Sequence, residues 1–151
     1  MKLDREKLVP IEPLFTVESE WTIPNEYVDD WGNHLNEADA LKIYESERLK
    51  LFPKEQMIKH GVLGLLKEQH PRYLAQVYGE EKVTVTTAIY IDGARLYFLH
   101  VMLRDGVPVQ DNLVEAVMIV PSTGAPTRIP PAFLHEVRET LFNSWSGNPH
   151  S

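Results

Sequence analysis

The pattern of hydrophobic and polar residues predicts a strand and then a long helix in the first third of the chain. Alternating positions over residues 16–23 indicate a half-buried strand, which ends at Pro24. Residues 37–52 carry a broad apolar stripe at helical spacing. Asn36 is a favourable N-cap for this helix and Pro53 stops it, so local residues predict both of its ends.

After the long helix the spacing changes from helical to strand-like. A shorter helix is predicted over residues 55–67, where two glycines weaken it. Strands are then predicted at residues 72–78, 81–91, 96–104 and 110–120. Because Asp92-Gly93 and Asp105-Gly106 have hairpin-turn composition, the strands are expected to form a meander of antiparallel neighbours.

The two ends of the chain complete a single predicted domain over residues 1–151. Residues 1–14 are expected to form an extended arm, residues 132–142 a closing helix, and residues 144–151 a frayed tail. One long helix before hairpin-linked strands is typical of the α+β class, in which the helix lies across one curved antiparallel sheet.

Composition narrows the classes of function. The 151 residues include no cysteine, which excludes disulfides, cysteine metal sites and cysteine nucleophiles. Acidic residues outnumber basic ones by 22 to 15, and the net charge of −7 argues against nucleic acid and anionic membranes as partners. No two histidines lie at helical ligand spacing, so no metal site is expected.

The amino terminus mixes charged residues with proline and has no long apolar run. Neither a signal peptide nor a membrane anchor is therefore expected, since no stretch approaches the roughly 20 apolar residues that span a bilayer. The predicted location is the cytoplasm.

The polar segment before the long helix holds the densest group of candidate catalytic residues. Residues 29–37 combine carboxylates, a glycine, a histidine and two asparagines. The amino end of a helix offers free N–H groups that can stabilise an oxyanion, and a nearby carboxylate can activate water or attack as a nucleophile. The alternative is that these residues only shape a turn and cap the helix.

A family resemblance begins at this segment. From Asp30 to Glu37 it reads Asp-Trp-Gly-Asn-His-Leu-Asn-Glu, and an amphipathic helix follows. This run, called the motif loop below, resembles the signature of the hotdog-fold acyl-CoA thioesterases of the 4-hydroxybenzoyl-CoA thioesterase type. The resemblance covers residues 16–130 in order. It implies a five-stranded antiparallel sheet that wraps a long helix, and hydrolysis of an acyl-CoA thioester without a cofactor, coenzyme A being part of the substrate.

The resemblance also implies roles for individual residues of the motif loop. Asp30 matches the catalytic carboxylate, as general base or nucleophile, and Asp29 beside it is expected to be a turn residue. His34 is the second catalytic candidate, with a structural role as the alternative. The residues expected to contact the substrate or hold the loop are Trp31, Gly32, Asn33 and Asn36.

The motif loop departs from the family pattern at one step. The family's Gly-His is here Asn33-His34, with Gly32 one place earlier. Glycine reaches positive φ freely and asparagine does so at some cost, so the turn can be kept with Asn33 in that conformation. A hotdog protein that binds acyl-CoA, or serves in assembly, without catalysis is one alternative that this departure leaves open.

Within the family, the sequence around the motif loop and residues 95–102 are closest to the betainyl-CoA thioesterases of carnitine breakdown. A quaternary ammonium group would favour an aromatic face, through a cation–π contact of about 0.5–2 kcal/mol. Trp21 and Trp31 are the candidates, and the alternative is a core or interface role for each. His100 has apolar strand neighbours and is expected to be buried and hydrogen-bonded.

Coenzyme A is anionic and needs basic partners. The candidates are Arg72, Arg95, Arg104 and Arg128, among which the sequence does not choose. The family builds its sites between subunits, which implies a homodimer or a dimer of dimers. A hotdog dehydratase is the other enzyme alternative, although its His-Phe-Pro-Gly context is missing from this sequence.

Overall fold

The computed structural model describes residues 4–8, 10–29 and 31–146, with only the backbone for residues 142–146. The α-helices are α1 (Arg5–Leu8), α2 (Glu37–Leu51), α3 (Lys54–Lys59) and α4 (Pro131–Ser146), and a short 3-10 helix spans Asn25–Tyr27. The strands are β1 (Phe15–Thr22), β2 (Leu63–Tyr73), β3 (Lys82–Asp92), β4 (Arg95–Arg104), β5 (Val107–Val120) and the short β6 (Ala125–Pro126).

The strands form one antiparallel sheet in the order β1-β3-β4-β5-β2, with β6 added to the end of β5. The sheet curls around α2, whose Ile43 and Tyr44 are fully buried against Val85 and Met102 of the sheet. We call the side that packs on α2 the inner face and the opposite side the outer face. The predicted α+β class, with a long helix wrapped by five main strands, is confirmed.

The central hairpins follow from their turn residues. Strands β4 and β5 are joined by Asp105-Gly106, and both residues have positive φ, of 52° and 78°, as a two-residue hairpin turn requires. Strands β3 and β4 pair up to Asp92 and Arg95, so their turn lies at Gly93-Ala94, one residue later than predicted.

The predicted helix over residues 55–67 is wrong beyond its first turns. Helix α3 ends at Lys59 because Gly61, with φ of +74°, reverses the chain, and the amide of Val62 donates to the carbonyl of Met57 at 3.0 Å. This is the glycine-based helix ending known as a Schellman motif. The apolar residues that follow then enter the sheet as β2.

The predicted strand at residues 72–78 and the predicted four-stranded meander are also wrong. β2 ends at Tyr73, and it pairs with β5 at the far edge of the sheet rather than with β3. A long antiparallel ladder from Leu63 to Tyr73 therefore fixes β2, and residues 74–77 become a loop.

The expected extended arm contains one helical turn, α1, which lies on the outer face. Asp4 caps this turn by accepting a hydrogen bond from the amide of Lys7 at 3.0 Å. Leu8 is fully buried in a small cluster with Tyr90 and Tyr97 of the sheet, and this contact explains why the segment is not extended.

The carboxy-terminal helix is longer than predicted. α4 runs from Pro131 to Ser146, so residues 144–146 of the expected frayed tail are helical. Residues 147–151 of that tail lie outside the described residues, and so do residues 1–3 of the expected arm.

The ion cluster that holds α1 to the sheet predicts a pH dependence of stability. Burial of Asp111 opposes its ionisation, but hydrogen bonds and charge from Arg72 and Arg5 outweigh this and hold the pKa of Asp111 below its usual value. A carboxyl whose pKa is lower in the folded state stabilises the fold above its unfolded pKa, and this contribution disappears as pH falls through the folded pKa.

We expect Asp111→Asn to lower the free energy of unfolding by about 1–3 kcal/mol at pH 7. Denaturant unfolding at pH 7, 5 and 3 checks this prediction. The difference between wild type and variant should narrow towards pH 3, because protonation removes the same charge from the wild type. A difference that is constant with pH would contradict the assignment.

Candidate active site

The motif loop and the residues before it form a narrow double-stranded turn. Its two arms are joined by hydrogen bonds from the amide of Asp29 to the carbonyl of His34 at 2.9 Å and from Asn36 to Tyr27 at 2.8 Å. A further hydrogen bond attaches the turn to the loop after β2: the amide of Leu35 donates to the carbonyl of Val77 at 2.7 Å. The loop is therefore built against the segment that follows β2.

The first turn of α2 begins where the motif loop ends. Asn36 is the N-cap, as predicted, and its Oδ1 accepts a hydrogen bond from the amide of Ala38 at 2.8 Å. The amide of Ala40 donates to the carbonyl of Asn36 as the first intrahelical bond. The amides of Glu37 and Asp39 are then the donors that this helix end can offer to a ligand.

The exchange of glycine and asparagine in the motif loop has a geometric explanation. Asn33 has φ of +57°, so asparagine takes the left-handed conformation at the position where the family has glycine. Gly32 serves a different purpose, because a Cβ there would lie 3.1 Å from the imidazole ring of His34. The turn is therefore kept, with each residue meeting a separate requirement.

This geometry makes a prediction about Asn33. Asn33→Val is expected to lower the free energy of unfolding by about 1–2 kcal/mol, because a β-branched residue is strained at positive φ. Asn33→Gly, the matched control, is expected to stay within about 1 kcal/mol of wild type. Denaturant unfolding measures both, and equal stability of the two variants would argue against the left-handed conformation.

A cavity of about 780 Å³ opens between the amino end of α2 and the loop after β2. The α2 side of its wall is formed by Asp29, His34, Leu35, Asn36, Glu37 and Ala38. The sheet side is formed by Tyr73, Leu74, Ala75, Gln76, Val77 and Gln110. The wall thus combines helix amides, carboxylates, an imidazole and a phenol around a space large enough for a small organic ligand.

The structure places the predicted site residues unequally around this cavity. His34 and Asn36 belong to the wall, and the ring of His34 also packs edge-on against Tyr78, with 5.1 Å between ring centroids. Trp31 is 94% exposed and, like Gly32 and Asn33, lies outside the wall. The motif loop therefore contributes two of its predicted side chains to the cavity in the described chain.

Of the two adjacent aspartates, Asp29 and Asp30, the structure describes only Asp29. Asp30, the predicted catalytic carboxylate, lies outside the described residues. Asp29 accepts a hydrogen bond from the amide of Trp31 at 3.2 Å, which is the turn role expected for it, and it also lines the cavity.

Comparison with known families gives this arrangement a context. A profile described as the thioesterase-like superfamily matches residues 26–137, which is most of the chain. The chain belongs to the thioesterase-like superfamily. No protein in the comparison with curated proteins matches it.

Solved structures show the same fold. A hypothetical protein from Staphylococcus aureus in complex with CoA is 20% identical, with a TM-score of 0.73, over 85% of each chain. A predicted thioesterase from Bacillus stearothermophilus is 23% identical, with a TM-score of 0.69, over 83% of this chain and 96% of its own. A DHNA-CoA thioesterase from Staphylococcus aureus is 18% identical, with a TM-score of 0.69, over 89% and 95%. These similarities show that this thioesterase-like protein has the hotdog fold.

Trp21 of this thioesterase-like protein lies away from the cavity. Its indole Nε1–H donates to Glu47 at 3.0 Å, and the ammonium group of Lys50 lies 5.5 Å from its ring centroid. The cation that Trp21 meets in the described structure is therefore Lys50, and its half-buried ring packs against the core cluster around α2.

The sheet register separates the four candidate arginines into two pairs. Arg72 precedes Tyr73 of the cavity wall, and Arg104 donates to the carbonyl of Gln76 at 2.9 Å. Arg95 and Arg128 lie at the other end of the sheet, since Arg95 pairs with Val117 and the amide of Thr127, next to Arg128, donates to the carbonyl of Met118 at 2.8 Å. Arg95 is seven residues along β4 from Met102, the partner of Gln110, which is about 23 Å at roughly 3.3 Å per residue.

Three residues at or near the cavity, Tyr44, Tyr73 and Gln110, were missed by sequence reasoning, although all three stand in predicted elements. Gln110 lines the cavity and its Oε1 accepts a hydrogen bond from the hydroxyl of Tyr44 at 2.8 Å. Tyr44 in turn stacks on His100, which is buried and hydrogen-bonded as predicted. A polar residue on the apolar face of a strand was the available signal, and Gln110 is such a residue.

No group of three or more histidine, aspartate or glutamate side chains in the described part of the chain is arranged to hold a metal ion. None of the helices in the described ranges is long and apolar enough to cross a membrane.

Proposed function

We propose that this protein hydrolyses an acyl-CoA thioester in the cavity at the amino end of α2. The observation that carries the proposal is the convergence of the α2 amides, His34 and two carboxylates on one cavity of about 780 Å³ in a thioesterase-like chain. Water would form a bond to the thioester carbon, the C–S bond would break, and the sulfur would leave with the electron pair and take up a proton. The products are a carboxylic acid and the free thiol.

Asp30 is the proposed general base or nucleophile. In the sequence it follows Asp29, a residue of the cavity wall, and it is the first residue of the motif loop. As a base it would accept a proton from water, and as a nucleophile it would form a mixed anhydride that water then hydrolyses. The α2 amides would stabilise the negative charge that develops on the carbonyl oxygen, and His34 would hold or polarise the bound ester.

The finer proposal is a short cationic acyl group, as in betainyl-CoA. Asp29 and Glu37 bring two carboxylates to the cavity wall, and the wall residues among those the structure describes include no lysine or arginine. A quaternary ammonium group would be attracted to such a wall, whereas an anionic acyl group would be repelled. Tyr73 offers the aromatic face, in place of the two tryptophans expected to do so.

Arg72 and Arg104 are the proposed partners of the coenzyme phosphates, since both adjoin the loop that lines the cavity. Each already pairs with a carboxylate, Arg72 with Asp111 and Arg104 with Glu81 at 3.0 Å. The structural relative from Staphylococcus aureus solved in complex with CoA supports a coenzyme A ester as the substrate.

A homodimer, or a dimer of dimers, is proposed as the working form. β2 is the last strand of the sheet, and Leu65, Leu66, Tyr73 and Leu74 on and after it are exposed. An exposed strand edge with apolar side chains is a surface that proteins normally cover, and a second copy of β2 would cover it.

The test is thiol release from a panel of acyl-CoA esters, read with a chromogenic thiol reagent. The panel contains betainyl-CoA, acetyl-CoA, isovaleryl-CoA (a neutral analogue of similar shape) and succinyl-CoA (an anionic acyl group). We expect betainyl-CoA to give the highest kcat/KM and succinyl-CoA the lowest. Highest activity on isovaleryl-CoA would reject the cationic acyl group and keep the hydrolase. Binding of the esters without thiol release would instead favour a non-catalytic acyl-CoA-binding protein.

A further inference from the structure

A row of buried polar side chains runs across the inner face of the sheet and ends at the cavity. It consists of His100, Tyr44 and Gln110, each at most 3% exposed. Buried polar groups cost free energy unless they are hydrogen-bonded, and here they form a chain of contacts through the core. The orientation of each group follows from the previous one.

The tautomer of His100 follows from the two hydrogen bonds of its ring. Its Nε2 lies 3.1 Å from the guanidinium of Arg48, and because arginine can only donate, Nε2 accepts this hydrogen bond. The proton of the neutral ring is then on Nδ1, which donates to the hydroxyl oxygen of Thr87 at 2.8 Å. Burial and the charge of Arg48 keep the pKa of His100 well below its usual value, so the ring stays neutral.

The ring of Tyr44 is held in place by stacking on His100. The two rings stack with 5.0 Å between centroids and 25° between planes. Burial raises the pKa of Tyr44 above its usual value, so the hydroxyl keeps its proton and acts as a donor. It donates that proton to Oε1 of Gln110 at 2.8 Å.

Gln110 presents the opposite end of its amide to the cavity. A glutamine amide has one acceptor end and one donor end, so an Oε1 that accepts from Tyr44 turns the Nε2–H groups away from the Tyr44 hydroxyl. Gln110 lines the cavity together with Asn36, Glu37 and Ala38 at the start of α2. A neutral N–H donor and the helix amides therefore border the same space.

We propose that Gln110 donates a hydrogen bond from Nε2 to the carbonyl oxygen of the bound thioester, an inference that rests on the proposed hydrolase activity. The bond strengthens as water attacks and negative charge develops on that oxygen, and no proton is transferred. Tyr44 and His100 are positioning residues, because they set the orientation of the Gln110 amide without touching the substrate.

The test compares Gln110→Glu with a matched exchange at Gln69. Glutamate at 110 still accepts the Tyr44 hydrogen bond but presents an oxygen to the cavity in place of the N–H donor. Gln69 also accepts a hydrogen bond at Oε1, from Asn112 at 3.1 Å, and lies outside the cavity wall. With the best ester of the panel, Gln110→Glu should lower kcat about 100-fold. Gln69→Glu should stay within about twofold of wild type, because it keeps its acceptor oxygen.

Tyr44→Phe tests the positioning step. It keeps the aromatic stack on His100 and removes only the hydroxyl that orients Gln110. We expect kcat to fall about tenfold with KM within about twofold of wild type, because one transition-state hydrogen bond loses its alignment. A merely structural role for the hydroxyl would lower the melting temperature and leave kcat of the folded fraction unchanged. Gln110→Met, which has no charge to bury, repeats the first test if Gln110→Glu does not fold.

The outcomes separate the two proposals. Wild-type enzyme that releases thiol, with Gln110→Glu and Gln110→Met as active as Gln69→Glu, overturns the role of Gln110 and leaves the hydrolase intact. Wild-type kcat in Tyr44→Phe overturns the positioning role of Tyr44. Wild-type protein that releases no thiol from any ester overturns the hydrolase, and the inference with it.

Discussion

Asp30→Asn is expected to lower kcat/KM for thioester hydrolysis about 1,000-fold, the loss typical of removing a positioned base. This corresponds to about 4 kcal/mol of transition-state stabilisation. Asparagine has nearly the same shape as aspartate but cannot accept a proton or form an anhydride, so the loss should appear in kcat. Initial rates of thiol release over a range of substrate concentrations measure it.

Asp29→Asn is the matched control for this prediction. It changes the neighbouring carboxylate in the same way, and its Oδ1 can still accept the hydrogen bond from the amide of Trp31. Its kcat/KM should fall less than about tenfold, as expected when a cavity carboxylate supplies only charge. If Asp29→Asn shows the 1,000-fold loss and Asp30→Asn does not, the two assignments are exchanged.

An isotope experiment on the wild-type protein can decide whether Asp30 acts as a general base or as a nucleophile. In a single turnover in water enriched in oxygen-18, a general-base mechanism puts one labelled oxygen into every carboxylic acid product. A nucleophilic Asp30 gives unlabelled product when water attacks the aspartyl carbonyl of the anhydride, and the label then appears in the protein. Mass spectrometry of product and protein distinguishes these results.

Phe133→Ala is expected to give the largest loss of stability, about 3–5 kcal/mol. Phe133 of α4 is fully buried, with its ring centroid 5.5 Å from that of Phe52 and 5.3 Å from that of His60. Alanine would leave a cavity where α4 meets the end of α2 and the sheet. Thermal unfolding should show a drop of about 10 °C in Tm for a chain of this length.

His135→Ala on the exposed side of the same helix is the control for this prediction. The imidazole is largely exposed and its contact with Glu139, at 3.6 Å, is a surface pair one helical turn away. Such a substitution should change the free energy of unfolding by less than about 0.5 kcal/mol. Equal losses for the two variants would contradict the assignment of the loss to the packing of Phe133, because both substitutions introduce alanine, the best helix former.

Much of the fold could be predicted from the sequence because its signals are local. Asn36 and Pro53 bracket α2 within one residue, since a capping side chain and a missing N–H act on the adjacent turn. Asp105-Gly106 fixes the β4–β5 hairpin in the same way, because both residues tolerate positive φ. The motif loop could be recognised from its residues for the same reason, and the family profile covers it.

Other features depend on contacts between residues far apart in the chain. The apolar run at the start of β2 suits a buried helix or a strand equally well, and only the ladder with β5 makes it a strand. α1 exists because Leu8 finds a pocket on the outer face more than 80 residues away in sequence. No local pattern contains these pairings.

The same distinction between local signals and long-range contacts applies to the candidate site. The sequence by itself determined the helix start, the turn residues and a carboxylate beside them, because these act within a few positions of one another. Only the tertiary structure decided that Tyr73 and Gln110 complete the cavity and that Trp31 points to solvent. The physical reason is that sheet register sets which side chains meet α2, and register is fixed by pairing along whole strands.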